Sequence, residues 1–72
     1  MEIPTNDDGM FEAVDGDGVV AGHGIVLADP PMVDFAYTDG VQEHRVLMDR
    51  EQFDLLWGAL PPLRALTLRA AA

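Results

Sequence analysis

The chain has 72 residues, of which 49% are hydrophobic and 24% charged, and its net charge is −9 at neutral pH. A chain of this length and composition forms one small folded domain. It contains no cysteine, lysine or serine, which excludes disulfides, thiolate-bound metals, Schiff-base lysines and serine nucleophiles. We therefore predict a protein that is not an enzyme and has no catalytic, cofactor or metal site.

The acidic excess lies in the first part of the chain. Residues 1–40 carry nine Asp or Glu and no Arg or Lys, whereas residues 41–72 carry four of each sign. Binding to nucleic acid or to an anionic membrane needs clustered positive charge, so neither is a predicted partner. A basic protein partner fits the charge, although net negative charge also serves simple solubility. With no apolar stretch of roughly 18 residues and no secretory pattern at the N-terminus, we expect a cytoplasmic protein.

The first predicted elements are two strands joined by a turn. Residues 1–9 are rich in turn-forming residues and are predicted to be a mobile acidic arm. Met10 to Val14 is a strand candidate, and the run Asp15 to Gly18 reverses the chain into a second strand over Val19 to Ala28. Either Asp-Gly pair of that run can be the centre of the turn. Asp29-Pro30-Pro31 ends the second strand because proline cannot donate to a ladder.

A hairpin follows, and its register is predicted in detail. With Asp39-Gly40 as a two-residue loop, Phe35 lies opposite His44 and Asp34 lies opposite Arg45. A slip of one residue would mix apolar and polar side chains, so their clean separation supports this register. The predicted apolar face contains Val33, Phe35, Tyr37, Val46 and Met48.

A helix is predicted from about Arg50 to Leu60. Asp49 is a suitable N-cap, Gln52 completes the capping-box pattern, and two prolines end the helix. Apolar residues recur at the i, i+3, i+4 and i+7 spacing of a single stripe, which we expect to lie on the hairpin. The predicted core contains Ile25, Leu27, Val33, Phe35, Val46, Phe53, Leu56, Trp57 and Leu60.

Residues 61–72 form a C-terminal segment after the single domain predicted over residues 10–60. The propensities of residues 63–72 favour a short helix, but the alternation over Leu66 to Leu68 is typical of a strand, and the sequence leaves helix, strand and disorder open. Three leucines exceed the need of one small core, and Arg64 and Arg69 add uncompensated positive charge. We predict that this segment docks on a partner or on a second copy.

Two groups of potential metal ligands do not make a predicted site. The run Asp15 to Gly18 resembles part of a calcium loop, but the first carboxylate and the closing Glu are missing. His23 and His44 lie on separate predicted strands without ligand spacing. Because His23 sits between two glycines, it marks a kink of the strand, which we favour, or the close approach of a partner.

These patterns predict an α+β fold, a small antiparallel meander of three to four strands packed by one C-terminal amphipathic helix. The predicted function is that of an acidic protein-interaction module, a regulatory or inhibitory subunit of a larger partner. The alternatives are a self-associating structural protein that forms a homodimer, and a nucleic-acid mimic that inhibits a DNA-binding protein. Carboxylates in a spaced array would favour mimicry, whereas acids confined to turns would count against it. The candidate contact residues are Asp7, Asp8, Asp15, Asp17, His23, Leu63, Arg64, Leu66 and Leu68.

Overall fold

A computed structural model describes residues 2–72, in which five strands form one antiparallel sheet. The sheet order is β4-β3-β2-β1-β5. The predicted α+β class is confirmed, but the predicted count of three to four strands is wrong, since the sheet has five. The elements in chain order are β1 (Met10–Val14), β2 (Val20–Ala28), β3 (Pro31–Thr38), β4 (Glu43–Asp49), α1 (Arg50–Ala59), α2 (Pro61–Arg64) and β5 (Thr67–Ala70).

The fifth strand comes from the C-terminal segment. β5 pairs antiparallel with β1, with Leu68 opposite Ala13 and Arg69 opposite Glu12. The two helices therefore connect β4 at one edge of the sheet to β5 at the other edge. Helix and strand were both open for residues 63–72, and the segment contains both, because α2 runs to Arg64 and β5 follows.

The turn between β1 and β2 is held by the side chain of Asp15. Its carboxylate accepts two backbone N–H bonds within the turn, from Asp17 at 2.8 Å and Val19 at 3.0 Å. The Gly18 N–H donates to the Asp15 carbonyl, so the turn is centred between the two Asp-Gly pairs. Gly18 ends the turn with a φ of 81°, a conformation that costs glycine little.

The segment before β1 contains no helix or strand over residues 2–9. Asn6 organises the loop next to β1 by accepting N–H bonds from Asp8 and Met10, both at 2.9 Å. Ile3 packs against the core from this segment. The predicted mobility of residues 1–9 stays a prediction, and Met1 lies outside the described residues.

The hairpin of β3 and β4 has the predicted faces in a different register. Phe35 lies opposite Val46, two residues further along β4 than expected. The Asp39 carboxylate accepts the N–H groups of Val41 and Gln42 at 2.9 and 3.0 Å, which places Asp39 at the base of the loop instead of at its tip. A shift of two residues keeps each side chain on its predicted face, so the apolar set survives the error.

The helix α1 begins and ends close to the predicted positions. The Asp49 carboxylate accepts the Gln52 N–H at 2.8 Å, which confirms Asp49 as the N-cap. Leu60 is the C-cap, and the two prolines follow it. Of the predicted stripe, Phe53 is fully buried, while Leu56, Trp57 and Leu60 are half-buried against the core.

The core lies between α1 and one face of the sheet, and aromatic rings fill its centre. The Phe35 ring stacks on the Phe11 ring with centroids 5.7 Å apart, and the Phe53 ring meets Phe35 edge-on at 5.4 Å. Such offset and edge-on contacts add to the stabilisation from burial. The fully buried cluster is Phe11, Ala13, Val33, Phe35, Phe53 and Leu63.

Two predicted core residues, Ile25 and Leu27, lie on the opposite face of β2. The face of β2 towards the core is occupied by Gly22 and Gly24, both buried, and by Val26. A Cβ on Gly24 would lie 2.6 Å from Cζ of Phe11, and one on Gly22 would lie 2.8 Å from Cζ of Phe35. The glycines therefore give two phenylalanine rings room to lie against bare backbone.

Gly22 and Gly24 flank His23, but they do not mark a kink at this residue. This residue pairs regularly with both neighbouring strands, so the predicted kink does not lie at His23. The ladder between β1 and β2 is irregular between Ala13 and Val14, which pair with Gly22 and Val20. Ala21 is therefore the extra residue of a bulge in β2. The close approach indicated by the glycines is made by the rings of Phe11 and Phe35 of the same chain, which lie against the backbone of β2.

Candidate interaction surface

The surface of interest is the sheet face opposite α1, which we call the open face. No helix or strand within residues 2–72 packs on it, because the crossover from β4 to β5 runs over the other face. The strand registers arrange its side chains in rows that cross the sheet. One row runs from Arg69 through Glu12, His23 and Ala36 to Arg45.

Apolar side chains occupy the end of the open face next to the loop before β1. Met10 lies beside Ile25, and Leu27 lies beside Met32, in adjacent strands. The exposed fraction is 43% for Met10, 40% for Leu27 and 63% for Leu47. Contiguous exposed apolar area on a small monomer marks an interaction site more often than a scattered residue does. We call this set the apolar patch, and its members are Met10, Ile25, Leu27, Met32 and Leu47.

Both arginines of the open face are paired with carboxylates. The Arg45 Nη2 donates to Oδ2 of Asp34 at 3.0 Å, and the Arg69 Nε donates to Oε1 of Glu12 at 3.1 Å. The Arg45–Asp34 contact was predicted between directly opposite residues, but it runs diagonally because Asp34 faces Leu47. The expectation that Arg69 is uncompensated is wrong, since β5 brings it to Glu12.

The four acidic candidates lie in turns at opposite ends of β1. Asp7 and Asp8 are in the loop before this strand, and Asp15 and Asp17 are in the turn after it. A strand of five residues separates the two pairs by roughly 17 Å. The Asp15 carboxylate already accepts two N–H bonds within its own turn. Acids so placed make no continuous array, which counts against mimicry of a nucleic acid.

The remaining candidates are divided between the surface and the core. His23 is exposed near the centre of the open face, and Arg64 is exposed on α2. Leu63 is fully buried, so it offers no surface to a partner. Leu66 and Leu68 are half-buried against the core cluster. The leucines predicted to dock on a partner therefore pack largely within the chain itself.

No member of the apolar patch was among the contact residues predicted from the sequence. The available signal was the run Ile25-Val26-Leu27, in which apolar residues occupy consecutive positions of one strand. Such a run places apolar side chains on both faces of the sheet. Ile25 and Leu27 were predicted to lie in the core, but of the three residues it is Val26 that packs against the core cluster.

The open face is shallow. Two depressions on it, formed by described residues, have volumes of about 180 and 160 Å³, below the roughly 300–1,000 Å³ of a typical small-molecule site. Both are bordered by His23 and Ala36. Within residues 2–72 no cluster of three metal-ligating side chains is present.

The second histidine serves the loop of the β3–β4 hairpin. The Nε2 of His44 lies 2.8 Å from Oδ2 of Asp39, and its ring stacks on Tyr37 with centroids 5.1 Å apart. The pKa of Asp39 is lowered from its ordinary value, first by the N–H of Gln42 and then by His44 and the N–H of Val41. His44 and His23 lie on opposite faces of the sheet, so they cannot share a ligand.

Comparison of the chain with known protein families, curated proteins and solved structures gives no match. Among residues 2–72, neither helix has the length and apolar character needed to cross a bilayer.

Proposed function

We propose that this chain is a cytoplasmic, non-enzymatic protein-binding module that acts as an accessory or inhibitory subunit, and that its open face binds a basic protein. The observation that carries the proposal is the apolar patch on a sheet face that the chain's own helix leaves uncovered. Protein interfaces are built from such an apolar centre with a polar rim. Here the Asp34–Arg45 pair is a polar contact within the patch, since Asp34 lies between Ile25 and Leu47, and the loop that carries Asp7 and Asp8 borders the patch at Met10.

The charge distribution supports a basic partner. Arg45 and Arg69 each lie against a carboxylate of the open face, so neither presents an isolated positive charge there, and the whole chain carries a net charge of −9. The loop that carries Asp7 and Asp8 immediately precedes Met10 of the apolar patch. A field of this sign accelerates encounter with a basic surface and disfavours acidic competitors.

The experiment compares two variants that add the same charge to different faces. Leu27→Glu puts a carboxylate into the apolar patch, whereas Leu55→Glu puts one on α1, where the leucine is 62% exposed. Each chain is immobilised and exposed to lysate of the organism that encodes it, and the bound proteins are compared by mass spectrometry. We expect at least one basic protein to bind the wild type and Leu55→Glu but not Leu27→Glu.

Binding of that protein is then measured with purified components by calorimetry. Losing an apolar contact of an interface costs about 1–2 kcal/mol or more, so Leu27→Glu should weaken binding by at least about fivefold. Equal binding by all three chains would place the site elsewhere. Failure of the wild type to retain any basic protein would contradict the proposal.

A further inference from the structure

The outer edge of β4 is long and regular, and no other strand of residues 2–72 pairs with it. β4 contains seven residues without proline or glycine, its ladder with β3 has no bulge, and it is the last strand of the sheet on that side. The other edge strand, β5, has only four residues. A regular edge strand presents free N–H and C=O groups that pair readily with another strand.

The register identifies which backbone groups of β4 point outward. The Asp39 N–H donates to the Gln42 carbonyl at 3.3 Å, and bonded pairs alternate with non-bonded pairs in an antiparallel ladder. The backbone groups of Arg45 and Leu47 therefore point away from β3, as does the N–H of Asp49. Their side chains share the open face.

We propose that two copies of this chain pair antiparallel through β4, with Leu47 opposite Leu47 of the second copy. In this register Arg45 lies opposite Asp49 of the second copy, and the two-fold axis repeats that contact. About four N–H···O=C bonds join the strands, two between the Leu47 residues and two from Asp49 to Arg45. Apolar side chains that face each other across strands stabilise the pairing. The attraction between Arg45 and Asp49 adds to the contacts that each makes within its own chain, with Asp34 and with the Gln52 N–H.

Neighbouring registers are less favourable. A two-fold axis at Val46 sets Glu43 against Asp49 of the second copy, which places like charges opposite each other. An axis at Arg45 sets two guanidinium groups together. An axis at His44 joins Glu43 to Arg45 but overlaps only three strand residues of each chain and leaves Leu47 without a contact.

The net negative charge of the chain lies away from β4, so it does not oppose pairing at this edge. Residues 41–72, which include β4, have four charges of each sign, whereas the acidic excess belongs to residues 1–40. The acidic loops at the two ends of β1 lie beyond β3 and β2 from this edge. The dimer also joins the two apolar patches at Leu47, and it does not depend on the basic partner proposed above.

The chain has no cysteine, so single cysteine variants test the register directly. In the proposed dimer, Cα atoms at position 47 are about 5.5 Å apart, whereas those at position 45 are offset by four residues, about 13 Å along the strands. Leu47→Cys should react with a short bis-maleimide to give a covalent dimer. Arg45→Cys should not, and Val41→Cys, at a loop position that is 92% exposed, is the control for random collision.

We expect Leu47→Cys to cross-link at least about tenfold faster than Val41→Cys in a solution of about 0.1 mM, because paired thiols have an effective concentration in the millimolar range. Faster cross-linking of Arg45→Cys would overturn the register. Equal rates for all three variants would overturn the dimer.

Sedimentation equilibrium of chains without added cysteine supplies the second test. The wild type and Val41→Glu should dimerise with rising concentration, whereas Leu47→Glu, which sets two carboxylates opposite each other, should remain monomeric. Circular dichroism confirms that each variant is folded. The proposal would be contradicted by a wild type that is monomeric at about 0.5 mM, which corresponds to a Kd of roughly 1 mM or weaker. It would also be contradicted by a Leu47→Glu variant that dimerises as well as the wild type.

Discussion

Replacing Gly24 by alanine tests the packing of Phe11 against β2. An alanine Cβ there would lie 2.6 Å from Cζ of Phe11 and 2.6 Å from the Asp34 carbonyl oxygen. The ring is fully buried and the carbonyl belongs to β3, so neither can withdraw without disturbing the core. Overpacking of this kind costs about 1–3 kcal/mol.

The expected loss is large for a domain of this size. At about 4–8 °C per kcal/mol for a small domain, Gly24→Ala should lower the Tm by about 8–16 °C for a loss near 2 kcal/mol. The matched control is Gly58→Ala in α1, where no atom of residues 2–72 outside the helix's own nearby backbone and the adjacent residues lies within 4 Å of the added Cβ. Alanine is the better helix former, so this change should stabilise by up to about 1 kcal/mol.

Thermal and urea unfolding followed by circular dichroism measure both variants. Adding Phe11→Leu to Gly24→Ala should cost less than the sum of the two single changes, because the smaller side chain relieves part of the clash. A Gly24→Ala protein as stable as the wild type would refute the packing of Phe11 across β2. A destabilised Gly58→Ala would refute the open environment assigned to that position.

Three further predictions concern the cap, the hairpin loop and the C-terminal segment. Asp49→Ala should lower the free energy of unfolding by about 0.5–2 kcal/mol, and Asp49→Asn by less, as measured by urea denaturation. The pKa of Asp39 is lower in the folded chain than its ordinary value of 3.8, so the free energy of unfolding should fall as the pH drops below about 3.8. Measured as Tm against pH, this fall should be smaller in Asp39→Asn. Leu63→Ala should cost about 2–5 kcal/mol and leave little cooperative unfolding in calorimetry, whereas a fully stable variant would remove Leu63 from the core.

Local signals in the sequence were sufficient for the first four strands and for α1. The cap at Asp49, the turn residues from Asp15 to Gly18 and the alternation along β3 act between near neighbours. The register of the hairpin was wrong because Asp39 accepts N–H bonds from the loop, which moves the tip of the loop one residue onward. The hydrophobic pattern of the sequence does not show that these side-chain bonds favour a loop centred on Gly40 and Val41 over one centred on Asp39 and Gly40.

The missed features depend on contacts between distant parts of the chain. β5 is a strand because β1 has a free edge to pair with, and its own sequence does not decide between helix and strand. The side of the sheet on which Ile25 lies is fixed by the glycines beside His23, whose lack of side chains admits Phe11 and Phe35. The open face was therefore unrecognised, although His23, one of its members, was a candidate.

The most direct test of the proposed function is methyl NMR of the chain titrated with the purified basic protein that the wild type captures. We predict that the methyl signals of the apolar patch, those of Met10, Ile25, Leu27, Met32 and Leu47, shift or broaden, while those of Leu55 on α1 stay in place. Shifts confined to Leu55 and the helix side, with an unperturbed apolar patch, would contradict the assignment of the open face as the binding surface.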